Sequence, residues 1–185
     1  MILFDTDLGS DSMPPGRKPA SNRQTARRAA AAETPRKNRM PSARTLARFL
    51  AEARAAARLR GQVTVLLTGD AAIRSLNKQF RGKNQPTDVL SFPALEMVEG
   101  VAGDVAISVE TARRQAEEQG HALSVEIKVL MLHGLLHLAG YDHETDKGQM
   151  ARRERLLRAR FGLPQGLIER VQIERVRTEQ RGAQP

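Results

Sequence analysis

Apolar residues recur at helical spacing along the central part of the chain. One stripe begins after Ser42, which can cap a helix, and ends at Gly61 (Leu46, Phe49, Leu50, Ala53 and Ala57). The same spacing predicts other helices: one starting at Asp70, one over Glu110–Gln119, a basic one over Lys147–Phe161 and a further helical segment over Leu167–Arg177. Residues 124–139 are apolar on nearly all sides, which indicates a buried helix.

Three short segments are rich in β-branched and aliphatic residues and predict strands, namely Gln62–Thr68, Asp88–Phe92 and Asp104–Ser108. Helices and a few strands in this mixed order indicate the α+β class. We therefore expect a single folded domain in which a small mixed β-sheet is packed with helices. The sequence contains no internal repeat, no glycine-rich nucleotide loop and no Ser/His/Asp arrangement.

Proline, alanine and scattered arginines without periodicity dominate residues 1–41, which we expect to form a largely disordered basic extension. Residues 42–162 form the expected domain, and residues 163–185 a basic C-terminal tail with helical potential. The formal net charge is +9, with +4 on residues 1–41, +5 on residues 151–185 and none between them. Basic ends either attract phosphate or are simply solvated tails, and charge alone leaves both interpretations open.

The chain has no cysteine, which excludes disulfides and thiolate metal sites and permits a reducing compartment. The first residues, MILFDTDLGSDS, lack a basic flank and match neither a signal peptide nor an anchor. The longest apolar run, Val129–Leu138, is interrupted by His133 and is too short to span a bilayer. We expect a soluble, cytoplasmic protein without a membrane partner.

Three of the four histidines lie in the segment HGLLHLAGYDH. His133 and His137 are four residues apart, so on a helix they share one face and offer two imidazole nitrogens to one ion. Gly140 can end that helix in a left-handed conformation, which lets the chain return and bring His143 over the other two. The spacing predicts one metal ion per chain at the C-terminal end of the buried helix.

Zinc is the expected metal, although imidazole also suits copper, nickel and iron. Three protein ligands leave the fourth position of a tetrahedral zinc site for water, which is typical of catalytic sites. The alternative is three histidines satisfied by hydrogen bonds inside a core. Because the surrounding helix is apolar and an unpaired buried polar group costs about 1–3 kcal/mol, we favour a shared cation.

The ligand spacing HxxxHxxGxxH matches that of the metzincin peptidases, HExxHxxGxxH, except at one position. Gly134 stands where those enzymes place the glutamate that takes a proton from water. A phosphodiester makes a different demand, because a metal and a guanidinium can stabilise its transition state without that carboxylate. Arg81, in a predicted loop before a strand, is a candidate guanidinium, and its alternative role is that of an ordinary exposed arginine.

The histidine segment, together with LNKQFRGKNQPTDVLSFP (Leu76–Pro93) and GDVAIS (Gly103–Ser108), resembles the bacterial YbeY endoribonuclease family. The three segments follow that family's order and spacing, and the likeness covers roughly residues 42–162. The resemblance implies a cytoplasmic, single-strand-specific, zinc-dependent endoribonuclease. It also implies a role in 3′-end maturation of 16S rRNA and in late 70S ribosome quality control, with single-stranded rRNA and the small ribosomal subunit as partners.

Within that resemblance, the family's zinc ligands fall on His133, His137 and His143, and its functionally important arginine falls on Arg81. One departure concerns the edge of the sheet. Family members begin with a strand before the first helix, whereas residues 20–41 show no convincing strand. Two other functions remain as alternatives: a non-catalytic ribosome assembly factor stabilised by zinc, and a metzincin-like peptidase.

Several neighbouring residues have two candidate roles each. Asp142 either orients a ligand histidine or caps the turn after Gly140. Tyr141 and Phe92 either stack on bases or pack in the core. The basic helix is expected to follow the RNA backbone with residues 152–160, and His121 is expected to be structural or exposed to solvent.

Overall fold

A four-stranded mixed sheet organises the computed structural model, which describes residues 1–5, 38–95 and 99–164. Its strands are β1 (Ile2–Phe4), β2 (Gln62–Thr68), β3 (Val89–Pro93) and β4 (Val101–Ser108). The helices are α1 (Ala43–Ala56), α2 (Asp70–Arg81), α3 (Val109–Glu118), α4 (Leu123–Leu138) and α5 (Gln149–Phe161). The order across the sheet is β1-β2-β4-β3, with β3 antiparallel to β4 and the other pairs parallel. The predicted single α+β domain with a mixed sheet is confirmed.

The first five residues contribute an edge strand that the sequence did not predict. Ile2 pairs with Val65, and the amide of Asp5 donates to the carbonyl of Leu67 at 2.9 Å. The expectation of a disordered extension over residues 1–41 therefore fails for Ile2–Phe4, because three apolar residues suffice to add a parallel strand to an open sheet edge. Residues 6–37 and the helical segment predicted over Leu167–Arg177 lie outside the described residues.

Each face of the sheet packs against different helices. On one face, alternate residues of β2 and β4 form a core with α1, α3, α4 and α5 (Val63, Val65, Leu67, Val105 and Ile107). On the other face, Ile73 of α2 packs on Leu90 and Ala106. The described helices include none that is both long and apolar enough to cross a membrane.

Local signals explain where α1 begins and how α2 is tied to α3. Ser42 caps α1 as predicted, because its hydroxyl accepts from the amide of Thr45 at 3.2 Å. Asp70 is the first residue of α2 and does not cap it; its carboxylate instead accepts from the hydroxyls of Ser108 and Thr111 and so ties α2 to α3. The amide of Asp70 donates to Glu110 at 2.7 Å.

Glycine allows α4 to lie unusually close to the sheet. A Cβ on Gly134 would lie 2.8 Å from Val105 Cγ1 and 3.1 Å from Ser91 Oγ. Towards the end of α4, Leu138 approaches Gly103 of β4, which is paired with Pro93 of β3. The C-terminal end of α4 therefore lies where β4 begins and β3 ends.

This close approach gives a stability prediction. Gly134→Ala should lower the free energy of unfolding by about 1–2 kcal/mol, because overpacking outweighs the better helix propensity of alanine. In a Val105→Ala background, which removes the nearest methyl groups, the cost should vanish or reverse. Urea unfolding of the four proteins measures the coupling, and an equal cost in both backgrounds would contradict this packing.

Candidate metal centre

The structure brings His133, His137 and His143 together as the spacing predicted. The ring nitrogens that could serve as ligands all lie within 4.8 Å of one another. The Nε2 atoms of His133 and His137 are 3.1 Å apart, close to the roughly 3.3 Å between two nitrogens bound tetrahedrally to one zinc ion. No other described group of histidines and carboxylates forms such a cluster.

The turn after α4 places the third histidine. Gly140 adopts a left-handed conformation with φ of 86°, and the amide of Tyr141 donates back to the carbonyl of Leu136 at 3.1 Å. This is the hydrogen bonding of a helix that ends in a glycine turn. His133 is buried, His137 is half-buried and His143 is exposed, so the cluster opens to solvent on the side of His143.

Asp142 caps the turn after Gly140 and does not orient a histidine. Its carboxylate accepts from the amide of Glu144 at 3.0 Å and from the hydroxyl of Thr145 at 2.9 Å. The backbone hydrogen bond from Glu144 is the largest cause of the lowered pKa of Asp142. Of the two roles considered for this residue, capping is therefore the one that its hydrogen bonds show.

Glu154 of α5 is the residue that sequence reasoning missed. Only 1% of it is exposed, and its Oε1 lies 3.1 Å from Nδ1 of His133. A carboxylate accepts there, so the proton of His133 belongs on Nδ1 and its Nε2 is left as a free lone pair. The signal was present, because Glu154 lies four residues after Met150 and three before Leu157 on the inward face of α5.

The electrostatics of the cluster favour neutral imidazoles. Burial, reinforced by the neighbouring His133 and His143, lowers the pKa of His137 to about 4. At neutral pH this imidazole has a lone pair to offer without first losing a proton. Three imidazole nitrogens, one of them on a ring oriented by a buried carboxylate, fit a metal ion that prefers nitrogen ligands.

Gly134 explains why the metzincin glutamate is missing. It follows His133 in the chain, but a side chain there would be directed into Val105 and Ser91 of the sheet. Its carbonyl also accepts from Ser91 Oγ at 3.2 Å. A glutamate at this position could therefore not reach the histidines without displacing α4 from the sheet.

Arg81 is the last residue of α2 and does not lie in a loop. Its side chain is exposed and makes no hydrogen bond or ion pair within the described residues. The end of α2 lies near the end of β3, since the rings of Phe80 and Phe92 are 5.0 Å apart. Arg81 and the three histidines therefore share one end of the sheet, but Arg81 does not contact them.

The remaining candidates lie beside one of the two cores or away from the cluster. Phe92 packs against the smaller core beside α2, and Tyr141 packs at the edge of the larger one. The fourth histidine, His121, lies outside the cluster, with its Nε2 2.5 Å from Oε2 of the fully buried Glu126.

The contact between Glu154 and His133 predicts an effect on metal binding. Glu154→Gln should weaken the affinity for zinc about 10–100-fold, because the amide no longer fixes the tautomer and basicity of His133. Competition with a chromophoric chelator measures the affinity. Glu144→Gln removes the same charge from an exposed position beside His143 and should leave the affinity within a few-fold; equal losses in both would contradict an orienting role.

The lowered pKa of His137 predicts how the stability of the metal-free protein depends on pH. Between its ordinary pKa of 6.5 and the folded value of about 4, the unfolded chain binds a proton that the folded chain does not. The free energy of unfolding should therefore fall as the pH falls through this window and be fully regained above it. Urea unfolding from pH 4 to 8 should show a shallower dependence in His137→Asn, and identical curves would contradict the assignment.

Comparison with known proteins identifies the family. The sequence model of the family described as "Endoribonuclease YbeY" matches residues 25–162. The protein of that name from Koribacter versatilis is 54% identical over 130 residues, covering 70% of this chain and 84% of the relative. The one from Solibacter usitatus is 58% identical over 107 residues, covering 58% and 71%.

The Helicobacter pylori protein of the same name is 44% identical over 110 residues, covering 60% of this chain and 79% of the relative. A Thermotoga maritima protein of known solution structure is 32% identical and covers 63% and 81%, with a TM-score of 0.45. The family match spans well over half of the chain, and it includes the three histidines and Arg81. The chain therefore belongs to the YbeY endoribonuclease family.

Proposed function

We propose that this member of the family is a zinc-dependent endoribonuclease that cleaves single-stranded RNA. It acts in the cytoplasm on the 3′ end of 16S rRNA and in the quality control of 70S ribosomes, with the small ribosomal subunit as its partner. The observation that carries the proposal is the cluster of three histidines, buried at one side and open to solvent at the other. A closed structural site would instead complete its coordination with protein ligands.

His133, His137 and His143 would hold one zinc ion. When bound, zinc supplies a Lewis acid that can activate a nucleophile or stabilise a leaving oxygen. Glu154 keeps the ring of His133 in the tautomer that directs Nε2 to the cluster. The RNA backbone would approach from the exposed side of His143, since His133 is buried and faces Glu154 of α5.

Arg81 would bind the non-bridging oxygens of the scissile phosphate. Its guanidinium has no partner among the described residues, and its planar fork matches two phosphate oxygens. The nucleophile is either water or the ribose 2′-hydroxyl. Cyclic phosphate ends on the product would exclude direct attack by water.

Charge outside the cluster would bring the RNA to it. Residues 42–162 form the catalytic domain in this proposal, with β1 added to its sheet, and the basic ends of the chain supply its excess charge. On α5, Arg152, Arg155 and Arg160 are exposed and would follow the RNA backbone.

The proposal predicts the effect of removing each part. In His133→Ala/His137→Ala, RNA cleavage and zinc binding should both be lost, because a single remaining histidine cannot hold the ion. Arg81→Ala should lower kcat/KM for single-stranded RNA about 100–1,000-fold while zinc content stays unchanged. Lys78→Ala removes a cation one turn earlier on α2 and should change kcat/KM only a few-fold.

Wild type and variants must be purified identically, so that a contaminating nuclease would be present in all of them. Equal cleavage by wild type and the double histidine variant would show a contaminating nuclease and overturn the proposal. Zinc removal that unfolds a protein unable to cut any RNA would instead support a non-catalytic assembly factor. Equal losses in Arg81→Ala and Lys78→Ala would leave Arg81 without a specific role.

A further inference from the structure

A cleft adjoins the metal centre, and the proposed function assigns no role to it. It is a cleft of about 790 Å³ between the turn Ala57–Arg60, which follows α1, and the loop that follows α4. We call it the turn cleft. Its other walls are formed by Ala102, Leu138–Asp142, Thr145, Asp146 and Gln149. This volume lies within the range of roughly 300–1,000 Å³ typical of pockets for small organic ligands.

The turn cleft and the metal centre share a wall. Tyr141 and Asp142 line the cleft, and the same loop carries His143 immediately afterwards. His143 is the exposed member of the histidine cluster. The turn cleft therefore adjoins the loop that carries the exposed histidine of the cluster.

Among the charged groups of the turn cleft, only the cations lack partners. Arg58 and Arg60 are exposed, and their guanidinium groups make no hydrogen bond or ion pair within the described residues. Asp142 is engaged by Glu144 and Thr145, whereas Asp146 accepts the amides at the start of α5 (Gly148, Gln149 and Met150). Both carboxylates are thus committed to holding the loop, which leaves the two guanidinium groups to bind an anion.

The backbone of Arg58 has a left-handed conformation, which is unfavourable for a residue with a side chain. Arg58 has φ of 59°, the single positive value at a non-glycine position in the described part of the chain. It follows the end of α1, where the amide of Leu59 donates back to Arg54 and where glycine is the favoured residue. An arginine is held here in a conformation that disfavours it, and such strain is common at binding sites.

We propose that the turn cleft holds the nucleotides next to the scissile phosphate. In this arrangement Arg58 and Arg60 bind phosphate oxygens, and the ring of Tyr141 stacks on a base. The proposal rests on the proposed function, because it assigns the cleft to the same RNA substrate. A protein segment with acidic side chains is the competing occupant, and the single-strand preference favours RNA because an unpaired base can enter such a cleft.

Two matched variants separate the cleft from general charge. Arg58→Gly/Arg60→Gln removes both cleft cations and gives position 58 the residue its backbone favours, so the fold should be at least as stable. Arg44→Gln/Arg48→Gln removes two exposed arginines from the other end of α1, outside the cleft. Thermal unfolding and elemental analysis for zinc confirm that both variants are folded and loaded.

Single-turnover cleavage of RNAs of increasing length gives the first readout. In wild type, extending the RNA beyond the cut should lower the half-saturating concentration. The cleft variant should raise this concentration about tenfold for the long RNA, and the slope of log affinity against log salt should fall by about 1.4 for two lost phosphate contacts. In the control variant, the longer RNA should still have the lower half-saturating concentration. An equal rise of this concentration in both variants would overturn the proposal.

Intrinsic fluorescence gives a second readout that does not depend on cleavage. Tyr141 is the single tyrosine of a chain without tryptophan, so its emission reports on the turn cleft. In stopped-flow mixing with single-stranded RNA, the emission should be quenched before cleavage, with a midpoint shifted about tenfold in the cleft variant. Unchanged emission on RNA binding would overturn the proposal. It would be the result expected if the turn cleft binds an acidic protein segment and not RNA.

The two proposals fail in different ways. If wild type cuts no RNA yet RNA quenches Tyr141 in a manner that depends on the cleft arginines, the endonuclease assignment fails and the cleft is an RNA-binding site without a scissile phosphate beside it. If wild type cuts RNA and the length benefit persists in the cleft variant, the cleft assignment alone fails.

Discussion

The burial of α4 is the constraint on which the rest of the site depends. The helix is enclosed by the sheet on one side and by α1, α3 and α5 on the others. Both nitrogens of His133 must therefore find partners inside the protein, since unpaired buried polar groups are costly. Glu154 meets Nδ1, and Nε2 faces the other histidines. A shared cation would satisfy all three rings at once, and the carboxylate of Glu154 would offset part of its charge.

This constraint couples the metal centre to the docking of α5. Glu154 reaches His133 only if α5 is seated by Met150 and Leu157 and tied to α1 by Arg153, which donates to the carbonyl of Ala56 at 2.6 Å. The intervening loop is held by its own carboxylates, as Asp146 caps the first turn of α5. One continuous segment, from α4 through α5, thus supplies the three histidines and the carboxylate that orients one of them.

Sequence patterns predicted the parts of this arrangement that depend on local chemistry. β2 was predicted with the bounds observed, and the histidine spacing predicted the cluster because helix geometry and a glycine turn suffice to produce it. Glu154 was missed because its partner lies on another helix, and local sequence does not show which inward polar residue meets which histidine. β1 was missed because a strand of three residues carries no periodicity; only pairing with β2 defines it.

Gly134 shows how packing restricts the chemistry available to this fold. The peptidases with this histidine spacing place a base directly after the first histidine, which requires that position to face the metal. Here a Cβ at the same position would lie 2.8 Å from Cγ1 of Val105 in β4, so a side chain as long as glutamate would have to displace the helix from the sheet. A proton acceptor on α4 is thereby excluded at this position. In the proposed reaction the proton acceptor must therefore come from elsewhere, and Arg81 at the end of α2 is the candidate cation at the same end of the sheet.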